Sequence, residues 1–144
     1  MGLQCADYSL VYSGDTRPCD PIVQLGLQLG EAGARLAPGH RVVLVHEATF
    51  DDSSEQMQQE AVQRHHSTVG EALEIGRRMG AWRVILTHFS QRFPKLADVR
   101  DSPTDGAVIA FDGMRVPFSL LPELPQLTPS LLCMFAAELE GDDK

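Results

Sequence analysis

Three short β-favouring runs, each stopping at a cluster of polar residues, constrain this chain more than any other feature of it. Val42-Val43-Leu44-Val45 is unbroken, apolar and mostly β-branched, the pattern of a strand buried on both faces. It delivers His46-Glu47-Ala48-Thr49 to its end. Tyr8 to Tyr12 stops at Ser13-Gly14-Asp15-Thr16, where Gly and Asp favour a turn, and Arg83 to Thr87 runs into His88-Phe89-Ser90. Between these runs the apolar spacing turns helical, at Ile22, Val23, Leu25 and Leu29 and again at Val69, Ala72, Leu73, Ile75, Gly76 and Met79. Helix and strand in alternation predict an α/β (α+β) fold with a mostly parallel or mixed sheet and covering helices.

The element boundaries carry their own signals. Gly26, Gly30 and Gly33 loosen the first helix, expected over 21–36, and Pro38-Gly39 ends it. Asp51-Asp52-Ser53-Ser54 caps a polar helix running toward His65, and Ser67 or Thr68 caps another, with Glu71 placed to close a capping box. Ala107 to Phe111 and Met114 to Phe118, joined through Asp112-Gly113, predict a β-hairpin. Pro122, Pro125 and Pro129 forbid a long helix before Leu131.

The 144 residues, 43% apolar, support one modest core, expected over 1–137 with a disordered acidic tail at 138–144. A net charge of -8 and a pI near 4.9 argue against autonomous nucleic-acid binding. Cys5, Cys19 and Cys133 form neither an even disulfide set nor a close-spaced metal pair, as expected of buried thiols in a reducing compartment. No run approaches the ~20 apolar residues that cross a bilayer, and no signal peptide is recognisable after Met1. The expected location is intracellular, with nucleus, cytosol and mitochondrion left open.

Asp15, beside a Gly, reads either as a turn cap or as a ligand. The ligand reading gains from His46, Glu47 and His88 at equivalent strand ends, because open α/β sheets bind ligands at the carboxyl edge of their strands. Carboxylate and imidazole together suit a divalent cation that activates water. His66, just before a helix, is either a surface residue or a proton donor supported by a carboxylate such as Glu47. His40 and His65 are expected to face solvent. Arg92 is a candidate phosphate contact, or merely surface charge.

Tyr12-Ser13-Gly14-Asp15-Thr16, the His46-Glu47-Ala48-Thr49 and His66-Ser67-Thr68 boxes, and Leu86-Thr87-His88-Phe89-Ser90-Gln91-Arg92-Phe93 resemble the C-terminal catalytic part of the tRNase Z family, within the metallo-β-lactamase superfamily. The resemblance runs from about Asp7 to Phe118. It implies the C-terminal half of an αββα sandwich and a zinc-dependent endoribonuclease that removes the 3′ trailer from precursor tRNA. It further implies two Zn²⁺ per complete active site, with Asp15 bridging and His88 on the second ion, and a Glu47–His66 proton relay to the leaving 3′ oxygen.

Two features depart from that pattern. The 26–39 stretch looks like an insertion on a helix-to-strand connection, and no His-x-His-x-Asp-His segment is present. A stable zinc site generally takes three protein ligands per ion, so the expected chain is a fragment, inactive alone, whose exposed apolar sheet face awaits a missing N-terminal half or a dimer partner. The alternatives are a different phosphodiesterase of the same fold, or a non-catalytic binding or partner module.

Overall fold

The computed structural model describes residues 1–90, 107–127 and 129–130. Five strands, Gly2–Gln4 (β1), Tyr8–Tyr12 (β2), Arg41–Glu47 (β3), Arg83–Thr87 (β4) and Ala107–Ile109 (β5), pair in chain order into one mixed sheet. β1 runs antiparallel to β2, and every later pairing is parallel. Helices among the described residues include Asp20–Leu36 (α1), Glu55–Gln63 (α2) and Val69–Arg78 (α3).

Strand alternation sorts the core into two layers. Val11, Val42, Leu44, Val84, Leu86, Ala107 and Ile109 face α1 and α3, meeting Val23, Ala72, Ile75 and Met79. The intervening Val43, Ile85 and Val108 face the other way, beneath Leu121 and Leu124. The apolar run at Val42-Val43-Leu44 is therefore buried on both faces, as its composition requires. Each such side chain contributes on the order of 1.5–3 kcal/mol by leaving water.

Caps set the ends of α2 and α3. Ser54 accepts the Met57 N–H, and Thr68 forms a full capping box with Glu71. α1 starts with Asp20 and Pro21 and has no side-chain cap.

The glycines of α1 do more than loosen it. A Cβ on Gly33 would sit 2.0 Å from the His40 ring, and one on Gly26 would sit 2.6 Å from the Met79 sulfur. His40 is accordingly no solvent-facing residue. Its ring packs over Gly33, with Nε2 2.8 Å from the buried Ser9 hydroxyl and Nδ1 3.2 Å from the Ala6 carbonyl. The 26–39 stretch, read as an insertion, is mostly this packed helix.

Three other expectations change. The 107–118 hairpin does not form: Asp112-Gly113 turns, with Met114 N–H reaching the Phe111 carbonyl, but 114–117 is no strand. β5 instead lies parallel to β4, and the returning chain lays Met114 and Val116 on the second sheet face. That face is thus covered in part, while Tyr8, Leu10 and Val45 stay half-buried and Tyr12 and Phe118 are exposed. Cys5 is exposed and Cys19 half-buried, both free thiols, contrary to the buried reading. Cys133 and the 138–144 tail lie outside the described residues. The short β1 carried no sequence signal of its own, being added by pairing with β2.

Among the described residues no helix is long and apolar enough to cross a membrane. An alanine in a helix interior usually stabilises by about 1 kcal/mol over glycine. Gly33→Ala should do the opposite, losing roughly 1–3 kcal/mol in urea unfolding as the His40 ring is displaced; an unchanged or raised midpoint would contradict the packing.

Candidate metal and proton-transfer site

Parallel register brings the polar strand ends to one edge of the sheet. Tyr12 pairs with Val45, and Glu47 with Thr87, so residues 13–16, 46–49 and 87–90 emerge side by side. The bridge between Phe50 and Thr68 adds the turn that precedes α3. Asp15, Glu47, His66 and His88, read from sequence as functional, do come together there. Arg92 lies outside the described residues.

Glu47 is the centre of the group. Its side chain is 2% exposed, and its carboxylate accepts five hydrogen bonds. Oε1 receives the Thr16 N–H at 2.9 Å, the Ser67 N–H at 3.1 Å and His66 Nδ1 at 2.9 Å. Oε2 receives the Thr49 N–H at 3.1 Å and the Thr49 hydroxyl at 2.8 Å. Burial pushes the carboxyl pKa up, but the bonds from Thr16, Thr49 and Ser67 outweigh it and hold the group below its ordinary value. Glu47 is therefore an anion whose oxygens are already occupied.

That fixes the imidazole tautomers. An ionised Glu47 cannot donate, so His66 Nδ1 carries the proton between them. The Thr49 hydroxyl has one proton, given to Glu47, and so accepts from His88 Nδ1 at 2.8 Å; His66 Nδ1 also lies 3.1 Å away. In their neutral forms both rings thus present Nε2 as a lone pair. The rings stack with centroids 5.2 Å apart, and His88 Nε2 lies 3.5 Å from Asp15 Oδ2.

The backbone is bent to achieve this. His65 and His88 both adopt left-handed conformations, each with φ 61°, immediately before His66 and at the site itself. Non-glycine residues there carry a local cost that surrounding contacts must hold, and such residues cluster at functional sites.

Arg17, given no role from sequence, is the outer brace. Its guanidinium forms a two-point ion pair with Glu71, and its Nη1 also donates to the His66 carbonyl at 2.7 Å. The same Glu71 caps α3, so the helix start, the His66 backbone and the 13–17 loop are tied together. The available sequence signal was an Arg directly after the Asp-Thr turn, with a capping carboxylate downstream.

His46 stands apart. It is fully buried, its Nδ1 donates to the Glu47 carbonyl at 2.7 Å, and its Nε2 has no partner among the described residues. Strand alternation turns it away from the Glu47 side chain, so it does not join the cluster expected of all four strand-end residues. Burial drives its pKa below the ordinary 6.5, and it stays neutral.

Two zinc ions do not fit this donor set. Among the described residues one carboxylate, Asp15, and two imidazoles, His66 and His88, converge, and Glu47 is spent on hydrogen bonds.

No family model matches the chain. Individual proteins do. It is 38% identical over 133 residues to a zinc phosphodiesterase ELAC protein 2 of Macaca fascicularis, covering 92% of this chain. It is 39% identical over 134 residues to the mitochondrial tRNase Z TRZ4 of Arabidopsis thaliana, covering 93%. A long-form RNase Z from yeast superposes with a TM-score of 0.68 at 33% identity, over 92% of this chain and 16% of that one. By sequence and by fold, the chain resembles a segment of tRNase Z. The metallo-β-lactamase fold protein YhfI of Bacillus subtilis, at 20% identity and a TM-score of 0.58, shares the fold over 78% of this chain and 41% of its own. The chain spans only 14% of the macaque relative and 13% of the Arabidopsis one.

Two measurements follow from the buried groups. Below pH 6.5 the unfolded chain protonates position 46 while the folded one resists, so this group's contribution falls as pH falls. Its slope approaches about 1.4 kcal/mol per pH unit, that of one proton. His46→Leu should flatten urea-derived stability between about pH 7.5 and 5.5, and an identical slope in the variant would contradict the assignment. Glu47→Gln turns an amide donor toward the Thr49 or Thr16 and Ser67 donors and should cost about 2 kcal/mol or more; a neutral substitution would refute the saturated carboxylate.

Proposed function

We propose that this chain is the C-terminal catalytic part of a zinc-dependent tRNA 3′-processing endoribonuclease and is inactive without the rest. The observation that carries the reading is the Glu47–His66 pair at 2.9 Å, beside Asp15 and His88, in a chain that resembles tRNase Z over nearly all its length.

The residues in hand serve the proton side of the reaction. Glu47 holds Nδ1–H of His66 and stabilises the imidazolium, whose Nε2–H is the proton left to give to a leaving group. As the bond between phosphorus and the tRNA 3′ oxygen breaks, that oxygen takes the Nε2 proton, giving a tRNA 3′-hydroxyl. The attacking water's oxygen remains on the trailer's 5′ phosphate, its released proton passes to solvent, and His66 Nε2 takes a proton back from solvent to restore the acid. Arg17 and Glu71 keep His66 on station. In the complete protein Asp15 and His88 would share metal binding with ligands from polypeptide outside this chain, and Arg92 would meet a substrate phosphate. The half-covered sheet face is where a second half-sandwich would pack. With a net charge of -8, this chain leaves the gripping of precursor tRNA to that other portion.

The test is cleavage of trailer-bearing precursor tRNA by the complete polypeptide that contains this chain. His66→Ala should slow cleavage by roughly 10²–10⁴-fold with zinc content unchanged, Asp15→Ala should lower both, and the 144-residue chain alone should not cleave. A complete polypeptide that cleaves simple diesters but leaves precursor tRNA intact would overturn the substrate assignment in favour of another phosphodiesterase.

A further inference from the structure

We infer that a cleft at the opposite edge of the sheet, between α1, the C-terminal end of α3 and the start of β3, binds a nucleoside 5′-phosphate through Arg41 and Glu31. The site stands apart from the endonuclease reading. β3, seven residues long at ~3.3 Å each, keeps it about 20 Å from Glu47.

The cleft encloses about 390 Å³, within the range of pockets that take small ligands. Leu27, Val42, Met79 and Trp82 give it an apolar wall, and Arg41 and Glu31 supply its charges. His40 also lines it, but both its ring nitrogens are engaged, by Ser9 and by the Ala6 carbonyl. It offers a ligand ring surface only.

Volume alone would not name a ligand. The deciding feature is Arg41. Arg17, Arg64, Arg77 and Arg78 each hold a carboxylate, whereas the exposed Arg41 guanidinium has no carboxylate and no hydrogen-bond acceptor among the described residues. It is anchored instead by its charge, 4.0 Å from the Trp82 ring centroid, which uses none of its five N–H donors. Arg83 stands over the same ring at 4.1 Å, but it donates to the Trp82, Leu121 and Pro122 carbonyls. Two like charges thus crowd one indole, in a chain whose net charge is -8. Burial first, and then the Arg41 charge, hold the Arg83 pKa below its ordinary value. An anion at Arg41 relieves that repulsion, and the guanidinium fork takes two phosphate oxygens at once.

The rest of the cleft narrows the choice. Glu31 is exposed and unpaired among the described residues, so it accepts hydroxyl or amino hydrogens and repels a second anion. Gly80, just past the end of α3, lines the same side, where the last carbonyls of the helix add negative character. The ligand is therefore anionic at one end only, with hydrogen-bond donors at the other and a flat, apolar body for the indole and thioether. Ribose and base behind a 5′ phosphate meet all three demands. Inorganic phosphate meets only the first, and a free nucleoside only the others.

Trp82 is the only tryptophan of the chain, so its fluorescence reports on the cleft directly. Adenosine 5′-monophosphate should change that signal saturably below ~1 mM, with isothermal titration giving one site per chain. Adenosine and inorganic phosphate should each bind more than about 10-fold more weakly, since each makes only part of the contacts. Arg41→Ala should weaken the nucleotide by more than about 10-fold, and Arg64→Ala, which removes the same charge from the end of α2, should leave it unchanged. Glu31→Ala should weaken the nucleotide and adenosine alike. Circular dichroism of each variant separates lost binding from lost folding. In the complete polypeptide, Arg41→Ala should show the same loss by isothermal titration while precursor tRNA cleavage stays unchanged, so this test and that of the endonuclease reading fail separately. No saturable signal from the wild-type chain, inorganic phosphate binding as tightly as the nucleotide, or unaltered affinity in a folded Arg41→Ala would each overturn the inference.

Discussion

A single buried carboxylate organises one edge of this molecule. Glu47 leaves the end of β3 and accepts hydrogen bonds from the 13–16 loop, from its own strand end, from the turn before α3 and from a histidine ring. An ionised group taken out of water is costly unless its oxygens are filled, and here they are. The same bonds that keep it charged lock three segments, distant in sequence, into one arrangement. Without it, Thr16, Thr49 and Ser67 would leave buried N–H groups unpaired and the imidazoles would lose their orientation.

The parallel sheet explains why such a centre arises at that edge. Strand runs that are apolar on both faces must be covered by helices, and the helical crossovers return β3 and β4 in the direction of β2. Turns and polar residues therefore gather where β2, β3 and β4 end, the place where a ligand meets the fewest buried side chains. Arg17 and Glu71 extend the bracing to the first turn of α3, joining a helix cap to the backbone of His66.

Much of this was legible in the residues. The strand at Val42–Val45, the capped helix starts at Ser54 and Thr68, and the grouping of Asp15, Glu47, His66 and His88 follow from β-branching, cap chemistry and strand-end position. What escaped required distances between segments. His46 and Glu47 are neighbours in sequence, yet alternation sends one into the core and the other into the site. The aspartate–glycine pair at 112–113 does turn the chain, but the partner it implied is out-competed by β4, which offers β5 a parallel ladder and a place in the core. The glycines of α1 read as helix weakeners until His40 and Met79 are seen to occupy the missing side chains' space. Thr49 and Arg17 were given no role of their own because their roles exist only through Glu47 and Glu71.

Glu47 sets the protonation pattern of two rings. Long-range ¹H–¹⁵N correlation of the histidine side chains in the metal-free protein, recorded above neutral pH, reads that pattern residue by residue. Protons on Nδ1 of both His66 and His88, with Nε2 bare, are the predicted result. Protons on Nε2 of these two rings would contradict it and leave neither nitrogen free as described.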